Sequence, residues 1–423
     1  MKLTLLTKIF IGMIVGIIVG LVFGDTAVYL KPVGDLFLRL IRLVVVPLVF
    51  ASLLVGTASL GDPKKLGRIG MKTVIFYLGT TALAITLGLV LANLIQPGSS
   101  LDQATSDKLL ADFHSQMEGS ISVLQSAPDI TDTVLGVVPT NPVESLSSGN
   151  MLQIIFFAML FGVALTLVPN EQMRTSVVRF FEGINDAMVQ IVHIVMRMAP
   201  YGVLALIAAV VGNFGVQVLG SLLIYSLCVL AGLALHMSVI YSGAVWVFAG
   251  MSPLRFFRGV RPAQLIAFST SSSTATLPVT MECAEKNLGV SEQISSFVLP
   301  LGSTVNMDGT ALYQGVAAVF IAQVYGLQLH LVQQLTIVLM ATLASIGAAG
   351  VPGVGIITLA MVLEQLGLPL EGIALILGVD RILDMARTAV NVTGDSAVAV
   401  VVAASEGHLS LAPLPVASEE LAS

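Results

Sequence analysis

The chain has 423 residues, of which 56% are hydrophobic and only 10% charged, with a mean hydropathy of +0.95. A soluble domain carries about 25% charged residues, so this is expected to be an all-α polytopic membrane protein. The net charge of -6 is modest and argues against a nucleic-acid partner. Cys228 and Cys283 give neither a disulfide framework nor a metal spacing and read as buried thiols. His114, His193, His236, His330 and His408 are scattered and never fall at metal-ligand spacing.

Leu5 to Phe23 has about the ~20 residues that a bilayer requires, and it lacks a small-residue cleavage site. It is expected to be a retained helix rather than a signal peptide. Leu36 to Ser59 forms a second span, followed by the basic cluster Lys64, Lys65, Arg68 and Lys72, and Val74 to Leu94 forms a third. Pro97 to Asn150 is polar, and Lys108 is its only Lys or Arg. The positive-inside bias therefore places the basic cluster and the amino terminus in the cytoplasm and the long polar segment outside. Leu152 to Val168 returns inward to Arg174 and Arg179, and the segment up to Val211 crosses outward. Val218 to Phe248, long enough to tilt, brings Arg255, Arg258 and Arg261 to the inside.

The pattern then changes. FSTSSSTATLP at Phe268 to Pro278, NMDGT with Asn306, Asp308 and Thr310, and SIGAAGVPGVG at Ser345 to Gly355 are too rich in small, hydroxyl, Gly and Pro residues for plain lipid-facing helices. Irregular backbone at membrane depth is tolerated where protein buries it or where it lines a cavity. Two tips, Ser271 to Pro278 and Gly347 to Gly355, each precede a helix with an Asn-x-x-Gly interruption, at Asn306 to Gly309 and at Asn391 to Gly394. Paired interruptions of this kind point to inverted repeats around a transport site. Two unrelated kinked regions are the plainer alternative.

Asp380 to Asp395 holds three acids, two arginines, two threonines and one asparagine inside an otherwise apolar run. Asp380, Asp384, Arg387, Thr388, Asn391 and Asp395 recur mostly at steps of three or four and form one helical stripe. A charge in lipid costs about 2.5 to 3.5 kcal/mol on insertion scales, so the stripe must face protein, water or a ligand. Arg387 offers a permanently charged fork for a carboxylate. Asp384 either pairs with Arg387 as an internal ion pair or accepts from a substrate ammonium. Asp308 and Asp395 have no cationic residue at i±3 or i±4 and lie near Asn and Gly, which suits hard-oxygen ligation of a monovalent cation; protonated core acids are the alternative. Helix N-termini at the tips would add positive potential for a carboxylate.

SSSTATLP, NMDGTALYQG, SIGAAGVPG and LDMARTAVNVTGD, in this order, resemble the glutamate/aspartate transporter family, the dicarboxylate/amino acid:cation symporters. The resemblance covers nearly the whole chain. It implies a prokaryotic inner-membrane homotrimer with both termini cytoplasmic. It also implies eight transmembrane helices, two re-entrant hairpins and an elevator-type mechanism, with no organic cofactor. Residues 1–70 and 151–212 would be the scaffold and trimer contact. Residues 71–96 and 213–405 would be the transport domain, 97–150 an external loop and 406–423 a cytoplasmic tail. The second hairpin would be the outer gate.

Carried over to matching positions, Arg387 would hold the substrate side-chain carboxylate and Asp384 its amino group. Ser272, Ser273, Thr310, Thr388, Asn391 and the backbone of Val351 and Gly355 would complete the pocket. Sodium would be co-transported at three sites. The first would use Gly302, Asn306, Asn391 and Asp395. The second would use the backbone of Thr304, Ser345, Ile346 and Ala348, and the third Tyr77, Thr80, Thr81, Asn306 and Asp308. Archaeal members carry an arginine at Ser271 and animal carriers one at Met385; Arg381 is expected either to supply that charge or to be a solvated charge near a helix end. Gln314 replaces the proton-carrying glutamate of animal carriers, which speaks against that route of proton coupling.

Sodium-driven uptake of aspartate or glutamate is the function so implied. A proton-coupled glutamate or C4-dicarboxylate symporter and an anion-conducting channel are the alternatives. An enzyme is disfavoured, because no histidine lies near the Ser271 to Ser273 cluster in sequence.

Overall fold

The computed structural model describes residues 5–59, 63–99, 135–214, 217–345 and 353–410. Long apolar runs with few breakers make helices throughout. α1 spans Leu5–Phe23 and passes through a 3₁₀ turn, Gly24–Leu30, into α2, Lys31–Ser59. Then come α3 Pro63–Ile95, α4 Pro142–Ser148, α5 Met151–Thr166, α6 Glu171–Met196 and α7 Ala199–Phe214. α8 Gln217–Leu235 runs through a π turn, His236–Tyr241, into α9 Ser242–Ala249. α10 Pro253–Thr270, α11 Ser273–Glu282, α12 Glu292–Val305 and α13 Asp308–Val324 follow. α14 Leu331–Ser345, α15 Val354–Gln365 and α16 Gly372–Glu406 complete the set. Among the described residues there is no strand, only an isolated bridge between Val290 and Leu409.

Among the described residues, four stretches are long and apolar enough to cross a membrane: Thr7–Ala58, Arg68–Ile95, Gly220–Ala249 and Leu375–Glu406. α6 and the following Ala199–Gly212, bent by 53°, make a fifth when taken together. The expected eight are not reached on this measure. One reason is that the chain breaks at Asn306 and Met307, leaving α12 with 14 residues and α13 with 17. α5, with 16, also falls short of a bilayer's length.

The segments expected to form the two re-entrant hairpins are pairs of helices. α10 turns at Ser271, whose φ of +52° is left-handed, and α11 is capped by Ser272, whose Oγ accepts from the Ala275 amide at 3.2 Å. α14 and α15 have 15 and 12 residues. At about 1.5 Å per residue neither reaches across the ~30 Å of hydrocarbon. Their tip, 346–352, lies outside the described residues, and with it the expected ligands Ile346, Ala348 and Val351.

The second half of the expected symmetry departs from the sequence reading. α16 is continuous through Asn391 and Gly394 for 35 residues. A Cβ at Gly394 would meet the Tyr241 hydroxyl and lie 2.6 Å from Asn306 Nδ2. The glycine serves a close approach between elements, not a helix break.

Two groups of helices pack chiefly among themselves. α1, α2, α5, α6 and α7 form one, while α3, α8 to α12, α14 and α15 gather around α13 and α16 to form the other. The second group holds the most enclosed element, since nearly every residue of α13 is buried. The groups meet at α7 with α16 and at α2 with α15. Small residues mark further contacts, where Met13 lies against Gly378 and Met196 against Gly353.

Candidate functional site

α16 brings the polar stripe against the N-terminus of α13. Gly309 makes this contact possible: its amide donates to Asn391 Oδ1 at 2.8 Å, and a Cβ there would run into the Arg387 backbone. Asn391 Nδ2 in turn donates to Thr310 Oγ1 at 3.3 Å and to Met307 Sδ at 3.2 Å. Gln264 of α10 donates to Thr393 Oγ1 at 2.9 Å, tying the first hairpin to the same helix.

Arg387 is among the most deeply buried large side chains, 1% exposed. Its Nη1 donates to Asp380 Oδ1 and its Nε to Asp384 Oδ1, both at 3.0 Å. Its guanidinium lies 4.2 Å over the Tyr313 ring. Asp384 thus forms the internal ion pair that sequence left as one of two options. Nη2 lies 2.8 Å from Asp384 Oδ1, yet no acceptor meets hydrogen-bond geometry at it. A Cβ at Gly355 would stand 2.6 Å from Nη2, so glycine keeps that edge clear. The guanidinium is thus held through Nη1 and Nε, and Nη2 is left buried beside Gly355 with no hydrogen-bond partner. Thr388 Oγ1 donates back to the Asp384 carbonyl at 2.7 Å, which turns it toward its own helix.

Asp380 and Arg381 acquire partners that spacing alone did not assign. Asp380 anchors Arg387, and Arg381 Nη1 donates to Asp384 Oδ2 at 3.2 Å. Arg381 is therefore not a solvated end-of-helix charge. Gly353 N also donates to Asp384 Oδ2, at 3.3 Å.

Three turns beyond Asp384, Asp395 is 2% exposed and accepts from Asn306 Nδ2 at 2.9 Å. That amide also donates to the Asn391 carbonyl at 3.2 Å. Asn306 Oδ1 is buried with no donor. An orphaned amide oxygen beside a buried carboxylate is what a small hard cation would satisfy. Gly302 packs on the same carboxylate, since a Cβ there would lie 2.6 Å from Asp395 Oδ1.

Asp308 is different. It accepts from Thr81 Oγ1 at 2.5 Å and from the Tyr241 hydroxyl at 2.8 Å, with His236 Nε2 at 3.3 Å. Tyr77 and Thr80 are buried nearby on α3, but the Tyr77 hydroxyl donates to the Val298 carbonyl at 3.0 Å and Thr80 Oγ1 to the Tyr77 carbonyl at 3.2 Å. Thr304 Oγ1 and Ser345 Oγ donate within their own helices to Leu301 and Thr342. Of the second expected sodium site, only Thr304 and Ser345 are described.

Ser272 and Ser273 are buried at the first hairpin tip, and α11 packs against α16. Sequence spacing missed His236 and Tyr241 beside Asp308. The available signal was an imidazole inside an apolar run, an intramembrane ionisable group. Among the described residues no cluster of three or more His, Cys, Asp or Glu stands ready for a metal ion.

With this geometry in place, the chain matches the family model described as the sodium:dicarboxylate symporter family over residues 5–405. It is 41% identical over 410 residues to a proton/sodium-glutamate symport protein of Geobacillus stearothermophilus, covering 96% of both chains. It is 43% identical over 409 residues to the protein of the same name from Bacillus subtilis, covering 96% of this chain and 94% of the relative. A proton/glutamate-aspartate symporter of Escherichia coli is 43% identical over 374 residues, 88% of this chain and 84% of its own.

Proposed function

Because the chain belongs to the sodium:dicarboxylate symporter family, and is thus a multi-pass membrane transporter rather than an enzyme, we propose that it takes up aspartate or glutamate together with sodium. The observation that carries this reading is the outer edge of Arg387, buried, held from behind by Asp380 and Asp384, and kept clear by Gly355. A substrate carboxylate completes that edge, and Asp384 beside it takes the amino group. Thr310, Asn391 and the first hairpin tip at Ser272 and Ser273 close the pocket.

Sodium is the co-transported species that best suits Asn306 Oδ1 with Asp395. The ion neutralises a carboxylate one turn from Asn391 and two to three turns from Arg387 and Asp384 on the same helix, so filling either place favours filling the other. Because Asp308 already has three donors, sodium at Tyr77, Thr80, Thr81, Asn306 and Asp308 requires those hydroxyls to turn their lone pairs inward. The names of the Geobacillus and Bacillus subtilis relatives include both protons and sodium, which makes proton coupling the second reading.

The self-packing of α1, α2, α5, α6 and α7 supports a scaffold role for residues 1–70 and 151–212, with the group around α16 as the moving part. Arg68 and Lys72 pair with Glu406, at 2.5 and 2.6 Å, which brings the basic cluster beside the end of α16. That arrangement supports a cytoplasmic location for both termini. Assembly as a homotrimer is part of the same reading.

The test is uptake of labelled aspartate, glutamate and succinate into liposomes holding the purified protein, with sodium and proton gradients imposed separately. A sodium gradient is expected to drive uptake of an acidic amino acid, and Arg387→Ala is expected to lower its affinity more than ~30-fold. Full uptake driven by a proton gradient in sodium-free buffer would overturn sodium coupling. Undiminished aspartate uptake by Arg387→Ala would overturn the substrate assignment.

A further inference from the structure

We propose that Arg381 is a specificity-determining residue: it occupies, from within the chain, the place on Asp384 that a substrate ammonium takes, and it yields that place when an amino acid binds. The inference rests on the reading of Asp384 as the ammonium acceptor.

Both oxygens of Asp384 are engaged. Oδ1 lies 3.0 Å from Arg387 Nε and 2.8 Å from Arg387 Nη2. Oδ2 accepts from Arg381 Nη1 at 3.2 Å and from the Gly353 amide at 3.3 Å. An ammonium needs oxygen acceptors of its own, so one of these partners must give way.

Arg387 is poorly placed to do so. It is 1% exposed, bonded to Asp380 and stacked on Tyr313, and freeing it would leave a buried charge unmatched. Arg381 differs in each respect. Its side chain is 17% exposed, it reaches Asp384 through a single 3.2 Å contact, and its Nε is buried with no acceptor. A long stem of this kind can swing its head toward water.

The exchange is charge for charge. An amino acid brings a cation to replace the one that leaves, so Asp384 stays matched. A plain dicarboxylate brings none, so Arg381 stays and Oδ2 remains occupied. Arg381 therefore weakens amino-acid binding, which must displace it, while its positive charge supports a doubly negative ligand.

The test is calorimetric titration of the purified full-length protein in lipid nanodiscs with sodium, using L-aspartate, L-glutamate and succinate. Wild type is compared with Arg381→Gln, Arg381→Lys and, should the Gln variant not fold, Arg381→Met. The Gln or Met variant is expected to bind the amino acid about 2- to 5-fold more tightly, the worth of one partly exposed ion pair. Succinate is expected to bind no better than to wild type, and Lys to restore the wild-type values. Loss of a merely structural contact would weaken all ligands together. Amino-acid affinity unchanged or weakened in the Gln variant, or succinate tightened by the same factor, overturns the inference while leaving the function intact. If the wild type binds neither aspartate nor glutamate, the function falls and the inference falls with it.

Discussion

At the scale of single residues, Arg387 shows how a buried charge is made usable. A guanidinium enclosed in protein needs acceptors, and Asp380 with Asp384 supplies them on one flank while Tyr313 covers a face. The fixed direction of the fork, more than its charge, then decides what it binds. Asp380→Asn keeps an oxygen at Nη1 but removes the charge, so Arg387 turns more fully onto Asp384 and competes with the substrate. The aspartate dissociation constant is expected to rise ~10-fold or more, the worth of a charge-assisted hydrogen bond. Calorimetry checks it, and an unchanged constant would show that Arg387 needs no anchor at Asp380. Asp380 was visible in the sequence as a member of the stripe, but its task was not. A pair seven residues apart, Asp380 with Arg387, lies two turns along the helix, and long side chains close that gap only when packing directs both the same way.

At the scale of elements, α16 carries both halves of the site because an unbroken helix repeats its face. The proposed substrate residues, Asp384 and Arg387, and the proposed cation residues, Asn391 and Asp395, share one stripe, and α13 meets it through Gly309. Gly394→Ala separates the two accounts of that glycine. As a helix-break residue, its replacement by alanine would favour the helix by about 1 kcal/mol and leave ion binding alone. As a close-approach residue, the added methyl pushes on Tyr241 and Asn306, and the sodium concentration for half-maximal uptake is expected to rise about tenfold. A sodium titration of uptake distinguishes them. The stripe, the first hairpin tip and the break at Asn306 were legible, because helical period and clustered small or hydroxyl residues are local signals. Two features were not. Asn-x-x-Gly reads the same whether the glycine ends a helix or admits a neighbour. The π turn that aims His236 and Tyr241 at Asp308 leaves no mark in an apolar run.

At the scale of the whole molecule, the proposed elevator-type transport would have one packed group of helices move against the other. The seam between them has the surfaces for sliding. Met13 of α1 rests on Gly378 of α16, and Met196 of α6 on Gly353, pairing a flexible thioether with a residue that has no side chain. A Cβ at Gly378 would stand 4.0 Å from Met13 Cβ, within the span of a disulfide. Cys228 and Cys283 are both buried, so a new pair would report alone. Met13→Cys combined with Gly378→Cys is therefore expected to cross-link under mild oxidant, to stop uptake, and to recover with reductant. Binding of aspartate with sodium should survive the cross-link, because no residue of the pocket lies in it. Full uptake by completely cross-linked protein would mean that α1 and α16 travel together, and the moving boundary would then have to lie elsewhere in the fold.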